Sequence, residues 1–302
     1  MAGGRRRPCE GIHGLRARVA IGWTGLRSVR EGVPGGACSG ARRGGRVSAR
    51  ELEEVRRDVV ACRRCPRLVA WREKVARDRT ARFADQEYWG KPVPGFGDPS
   101  ARILVLGLAP AAHGGNRTGR IFTGDRSGDF LFAGLYRVGL ANQPTSVSRD
   151  DGLALAGAYL AAVNRCCPPK NRPTPAERDA CLPFLERELR ALHGVRAIVA
   201  LGAFAWDGAL RTLAALGHRA KPKPRFGHLA EAEVGPYALV GCFHPSQQNT
   251  FTRKLTPEML DAVLERAKEL AGLRLPRPRR GPRSPVPRVG GRARSGGGSA
   301  AG

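Results

Sequence analysis

An α/β domain with a mainly parallel sheet is expected from this 302-residue sequence, on three grounds. Four apolar runs of strand length occur, at 103–106, 158–163, 195–201 and 237–243. Segments with helical spacing separate them, so successive strands are joined by crossovers and pair in parallel, with helices covering both faces of the sheet. Polar loops follow the first, second and fourth runs, at the carboxyl ends of strands where such sheets bind their ligands.

Taken in order, the chain opens on a basic stretch. Of the formal charge of +26, residues 1–50 carry +9, from eleven Arg against Glu10 and Glu31. Residues 273–302 carry +8 from eight Arg and no acid, which leaves +9 on 51–272. Segments 1–47 and 273–302 hold too few apolar residues to offset the entropy of ordering, so both are expected to be disordered tails around a domain at 48–272. The first fifty residues are also what translation from a start codon placed too early would append. Ser48-Ala-Arg-Glu51 has the form of a capping box, opening a helix with Leu52, Val55 and Val59 on one face. That helix ends at Cys62-Arg-Arg-Cys65 and Pro66, and the Pro- and Gly-rich stretch 79–101 reads as loop.

The strand at 103–106 meets Gly107, then Pro110 and a loop with four further glycines, then Phe122 and Asp125 just before a helical segment at 127–138. Glycines allow close backbone approach, so the loop reads as a binding loop whose N–H groups reach a flat or anionic ligand. Further on, 158–163 ends at Asn164, and 175–192 has helical spacing through Cys181, Phe184, Leu185 and Leu189. Gly202 stops 195–201 before a helix at 203–216, and 237–243 precedes a last helix at 257–270.

No run approaches the ~20 apolar residues of a membrane span and no signal-peptide core is present, so a cytoplasmic location without membrane attachment is expected. A monomer is expected. The basic core suits nucleic acid, since neutralised phosphates supply most non-specific affinity. Arg-rich coding bias gives the same charge without any binding role.

Eight cysteines are present: Cys9 and Cys38 in the tail, Cys62 and Cys65, the adjacent Cys166 and Cys167, Cys181, and Cys242. Clustered thiols in a reducing compartment favour metal or redox chemistry over disulfides. The spacing C-x2-C, a long gap, then C-P-P and a further Cys supplies four thiolates, which leaves zinc and an iron-sulfur cluster both open. Cys242, mid-strand beside Val240, reads as core. Beyond the last strand, His244-Pro-Ser-Gln-Gln-Asn249 places a histidine at the start of a loop of amides and hydroxyls, suited to reading a base.

These pieces together resemble the family 5 uracil-DNA glycosylases, the type B iron-sulfur enzymes. The matching stretches are Gly107-Leu-Ala-Pro, Gly114-Gly-Asn-Arg-Thr-Gly-Arg120, Phe122-Thr-Gly-Asp125, Cys166-Cys-Pro-Pro-Lys-Asn171 and His244-Pro-Ser-Gln-Gln-Asn-Thr250. The resemblance implies a three-layer α/β/α fold with a central four-stranded sheet. It also implies a 4Fe-4S cluster on Cys62, Cys65, Cys166 and Cys181, and DNA containing uracil or other deaminated bases as substrate. By the same similarity Asp125 holds the water and stabilises a cationic sugar, His244 supports the departing base, and Asn171 orients the water or reads the base. Phe122 stacks on the flipped ring, with Gly107, Leu108 and Asn249 at the base. A helix-capping role for Asp125 competes with the catalytic one. The rival functions are a non-enzymatic metal-containing nucleic-acid-binding module and a glycosylase preferring another base. One departure stands out: the family's last motif usually runs N-T-x-T-G-R-L-T, whereas here Arg253 occupies the glycine position.

Overall fold

The computed structural model describes residues 39–275, with side chains from 49 onward. The tails at 1–47 and 273–302, with Cys9 and Cys38, fall outside the described residues except for 39–47 and 273–275. Helices α1 (Ser39–Ala61) and α2 (Pro66–Asp78) come first, then strands β1 (Phe96–Gly97) and β2 (Ile103–Gly107). A one-turn α3 (Gly115–Thr118) and α4 (Arg126–Arg137) lead to β3 (Ala158–Ala162). Then follow α5 (Pro175–Ala191), β4 (Ala197–Leu201), α6 (Ala203–Ala215), β5 (Glu231–Val234), β6 (Tyr237–Cys242), α7 (Gln247–Phe251) and α8 (Pro257–Leu270).

The sheet order is β1-β3-β2-β4-β6-β5. Its centre, β3-β2-β4-β6, is parallel throughout, as the crossovers require, and comprises the four strands read from the sequence. The sheet is nevertheless six-stranded, because β1 and β5 add antiparallel edges. Both evaded the sequence reading for a physical reason: β1 is two residues within a Pro/Gly stretch, and β5, Glu-Ala-Glu-Val, is a largely solvated edge rather than an apolar run.

Alternation along each central strand divides the core into two layers. Ile103 and Val105 pack with Leu131, Leu135, Leu260 and Leu264 of α4 and α8, while Leu104 and Leu106 pack with Leu185, Trp206 and Leu213 of α5 and α6. The result is the expected three-layer α/β/α sandwich. Cys242 is fully buried among the first set, a core residue as expected. The chain leaves β2 for α4 on one face and leaves the adjacent β4 for α6 on the other. This reversal opens a crevice beyond the carboxyl ends of the central strands.

One local expectation is corrected and one element is added. Ser48 is not a cap, because α1 begins at Ser39 and runs through it; residues 39–48 contain no proline to interrupt the helix. Leu52, Val55 and Val59 are buried as expected. The segment after Cys65 also forms a helix, α2, opened by Pro66 in the first turn, where its missing N–H costs nothing. Among the described residues no helix is long and apolar enough to cross a membrane.

Candidate active site

A cavity of about 460 Å³ lies beyond the carboxyl ends of β2 and β6. Leu108, Phe122, Asp125, Asn171 and His244 all line it, so five residues singled out in four separate stretches meet at one place. Arg126, Ser127, Gln247 and Gln248 join them. Gly107 and Asn249 are not among the lining residues.

Gly107 acts from behind. A Cβ there would stand 2.5 Å from Cζ of Phe122, so the absent side chain lets that ring lie against the end of β2. Phe122 is 6 % exposed and holds a left-handed φ of 52°. Lys170, Asn171 and Arg253, in loops around the crevice, have φ of 52°, 55° and 56°. Such conformations cost a non-glycine residue of order 1–3 kcal/mol and persist where surrounding bonds hold them, commonly at functional sites.

Asp125 has both properties that competed in the sequence. It is the N-cap of α4, its Oδ1 accepting from the Gly128 N–H at 3.0 Å, and it also faces the cavity. Oδ2 lies against Gly114, where a Cβ would stand 1.9 Å away, so no larger residue fits. Burial pushes this carboxyl above its ordinary range, against the opposing pull of the Gly128 and Ser127 N–H groups.

The stretch 114–120 does not present an open binding loop, and this corrects the sequence reading. Asn116 is fully buried, donating from Nδ2 to the Arg72 carbonyl at 3.2 Å. Arg120, 3 % exposed, bonds Thr123, Ser146 and Asp151. Arg117 donates to the carbonyls of His113 and Gly124 at 2.7 and 2.8 Å. These polar side chains bind the loop to itself and to α2, which fixes the approach to Asp125.

On the opposite wall, the His244 ring is pushed down to about 4 by burial, so it is neutral at pH 7. Asn249 is turned into its own loop: Nδ2 donates to the His244 carbonyl at 2.8 Å. Gln247 and Gln248 take the lining positions instead, because Ser246 caps α7 and rotates them toward the cavity. The serine N-cap was present in the sequence but unread. Phe251 was also missed; it is 67 % exposed, with the Arg126 guanidinium 5.4 Å from its ring centre. Arg253 carries a side chain where a left-handed backbone favours glycine. Arg253→Gly is therefore expected to stabilise the fold by about 1 kcal/mol, read as a raised denaturation midpoint. An unchanged or lower midpoint would show that the Arg253 side chain compensates its own strain.

Four thiols gather at the junction of α1, α2, the loop after β3, and α5. Burial pushes Cys166 up to about 12, and the thiols of Cys181 and Cys62 add to the rise. Burial likewise raises Cys181, with Cys65 and Cys62 contributing. Cys167, also raised to about 12 by burial, is influenced among thiols by Cys166 alone. Among the described residues, no three His, Cys, Asp or Glu side chains converge tightly enough to grip a single metal ion. Beside these thiols lies Arg72, 2 % exposed, whose Nη1 is 3.0 Å from the Cys166 Sγ and whose Nε has no partner. The nearest carboxylate, Glu73, stands 3.8 Å away and is bound by Arg63 at 2.6 Å. A buried guanidinium so weakly paired calls for negative charge nearby, and ionised thiols would supply it.

Residues 94–268 match the family described as Uracil DNA glycosylase superfamily. A type-5 uracil-DNA glycosylase of Mycobacterium tuberculosis is 56 % identical over 232 residues, covering 76 % of this chain and 84 % of that one. The chain belongs to the type-5 uracil-DNA glycosylases. Other members are similar over nearly their whole length. The Thermus thermophilus type-5 uracil-DNA glycosylase is 52 % identical over 216 residues, covering 71 % of this chain and 96 % of its own. That of Pyrobaculum aerophilum is 46 % identical over 214 residues, covering 71 % and 91 %. The family match takes in β2, the cavity-lining residues, and Cys166 and Cys181, while Cys62 and Cys65 precede it.

Proposed function

We propose that this protein hydrolyses the N-glycosidic bond of deoxyuridine in DNA, releasing uracil and leaving an abasic site, and that it accepts other deaminated bases. The observation that carries the reading is the meeting of Phe122, Asp125, Asn171 and His244 around one cavity at the carboxyl ends of the strands. Incubation with duplexes containing uracil, hypoxanthine or a thymine mismatch, followed by alkali, tests it. Strand breaks are expected at uracil first. No break on any substrate would favour a module that binds nucleic acid without cutting it.

The target nucleotide must leave the helix, at a cost of a few kcal/mol, before its base can enter the cavity. Phe122 supplies an aromatic face held rigid against Gly107. Phe251, exposed at the rim, is placed to fill the gap the flipped base leaves in the stack. As the C1′–N1 bond breaks, its electron pair moves onto the uracil ring and positive charge develops on the sugar. A neutral N–H from His244 to uracil O2 is then worth more in the transition state than in the ground state. The Asp125 carboxylate stabilises the sugar cation and orients the water whose oxygen bonds to C1′, with Asn171 as its second contact; the water's proton passes to the carboxylate or to solvent.

The raised carboxyl and depressed imidazole set the pH dependence. Asp125 acts only when ionised, so kcat/KM is expected to climb with pH through its elevated pKa and then level off. His244, already neutral above about 4, adds no break near 6.5. A break near 6.5 that vanished in His244→Gln would overturn the neutral-donor assignment.

The four thiols of Cys62, Cys65, Cys166 and Cys181 would hold a 4Fe-4S cluster. A cluster is several atoms wide, so its ligands need not converge on a point, and the weakly paired Arg72 suits its negative charge. When bound, it supplies iron–thiolate links that join the α1–α2 turn to the loop after β3 and to α5.

A further inference from the structure

A cavity of about 750 Å³, larger than the one that gathers the catalytic residues, lies between α1, α2 and the segment 88–91. Its walls carry Arg56, Arg57, Arg63, Arg72, Arg77 and Lys91 against one carboxylate, Glu73. Three of these cations are engaged: Arg56 pairs with Glu53 and Arg63 with Glu73, both at 2.6 Å, and Arg72 faces the Cys166 thiol. Arg57, Arg77 and Lys91 are exposed, and no carboxylate among the described residues comes within ion-pair distance of them. Glu53 and Glu73 feel Arg57 and Arg77 only at longer range, and nothing in the folding of this domain requires three cations without an ion-pair partner to line one groove, since like charges repel.

The groove is joined to the catalytic cavity by a rigid wall. Trp89 and Gly90 donate their N–H groups to the carbonyls of Arg117 and Asn116 at 2.9 and 3.1 Å, and the Tyr88 hydroxyl meets Nδ1 of His113 at 3.0 Å. The same stretch, through Arg117 and the Gly124 carbonyl, reaches the residue before Asp125. Along this wall, Arg82 and Arg117 both stand over the Phe83 ring, at 5.1 and 3.9 Å, and Lys91 and Arg149 over Trp89, at 5.5 and 5.0 Å. Cationic groups therefore continue beyond the groove along this wall, as far as Arg117, which bonds the residue before Asp125.

We infer that this groove holds the phosphate backbone of the DNA duplex flanking the lesion, a second contact surface on the side of the four thiols. The inference rests on DNA being the substrate. The chain's own ends are poor occupants, because the sequence beyond the described residues carries seven Arg before residue 39, with Glu10 and Glu31, and seven after 275 with no acid.

The test uses full-length protein and a duplex without uracil, so it does not depend on cleavage. Arg57→Gln/Arg77→Gln/Lys91→Gln should bind that duplex at least tenfold more weakly at low salt. It should also flatten the slope of log K against log salt by about 2 to 3, since each neutralised phosphate contributes about 0.9. A control that removes the same charge elsewhere, Arg219→Gln/Lys221→Gln/Arg225→Gln, should move the slope far less. Single-turnover cleavage of uracil DNA should be unchanged in the control. A groove variant with the unaltered slope, or with no larger change than the control, would overturn the inference even in a protein that cleaves uracil. A groove-dependent slope in a protein that cleaves no damaged base would sustain the groove and sink the glycosylase reading.

Discussion

Asp125→Asn is expected to bind uracil-containing DNA about as well as the unaltered protein and to cleave it some 10²- to 10³-fold more slowly, the order of effect of losing one well-placed transition-state group. The substitution separates the two roles that the structure gives this residue. As N-cap of α4, Asp125 needs only an oxygen for the Gly128 N–H, and Asn caps a helix as well as Asp does. As a catalytic group it needs charge, because a cationic sugar is stabilised by a carboxylate and not by an amide. The cap therefore remains in the variant while the electrostatic contribution is lost, and folding is controlled within the experiment. Gly114, too close to Oδ2 to admit a side chain, leaves room for an amide of the same shape. Single-turnover rates within a few-fold of the unaltered protein, with thermal stability intact, would remove Asp125 from the chemistry and move the water-orienting role to Asn171.

The second large effect concerns the thiols. Cys62→Ala or Cys181→Ala should yield protein without brown colour and with little iron, poorly folded around α1 and α2. Residues far apart in sequence meet at this junction, and bonds to the proposed cluster would close the loops between them. The buried charge adds to the loss: without a cluster to keep the thiols ionised, Arg72 retains contacts with the Cys166 Sγ at 3.0 Å, the Cys62 carbonyl at 3.3 Å and the distant Glu73, but loses the negative charge that would balance it. Leaving a buried charge without its partner costs about 3–5 kcal/mol, a large share of a domain's stability. Cys167→Ala should keep colour and iron, since among the thiols only Cys166 acts electrostatically on Cys167, whereas Cys62 and Cys181 act on Cys166. Colourless unaltered protein holding stoichiometric zinc would overturn the iron-sulfur assignment. Loss of colour in Cys167→Ala together with its retention in Cys166→Ala would exchange the two ligands.

The sequence by itself determined the layers and their order. Strand-length apolar runs separated by crossover-length helices leave parallel pairing as the economical arrangement, and β2, β3, β4 and β6 lie where those runs do. It also determined which loops meet, because the carboxyl ends of parallel strands lie on one edge. The stretches 107–125, 164–171 and 244–256 were for that reason legible as one site, and the resemblance to the family 5 enzymes picked out Leu108 and Asn171 within them beside Phe122, Asp125 and His244. Tertiary structure alone decided how each side chain is spent. Asn249 and Asn116 have the chemistry of ligand readers, yet both amides are used on main-chain carbonyls, a choice set by loop packing that composition does not encode. The edge strands escaped notice because edges need no apolar pattern, and α7 because five residues are too few for periodicity. The groove beside α1 and α2 was least legible of all. Its cations are spread from Arg57 to Lys91, and only the arrangement of α1, α2 and the segment 88–91 brings them to the walls of one groove.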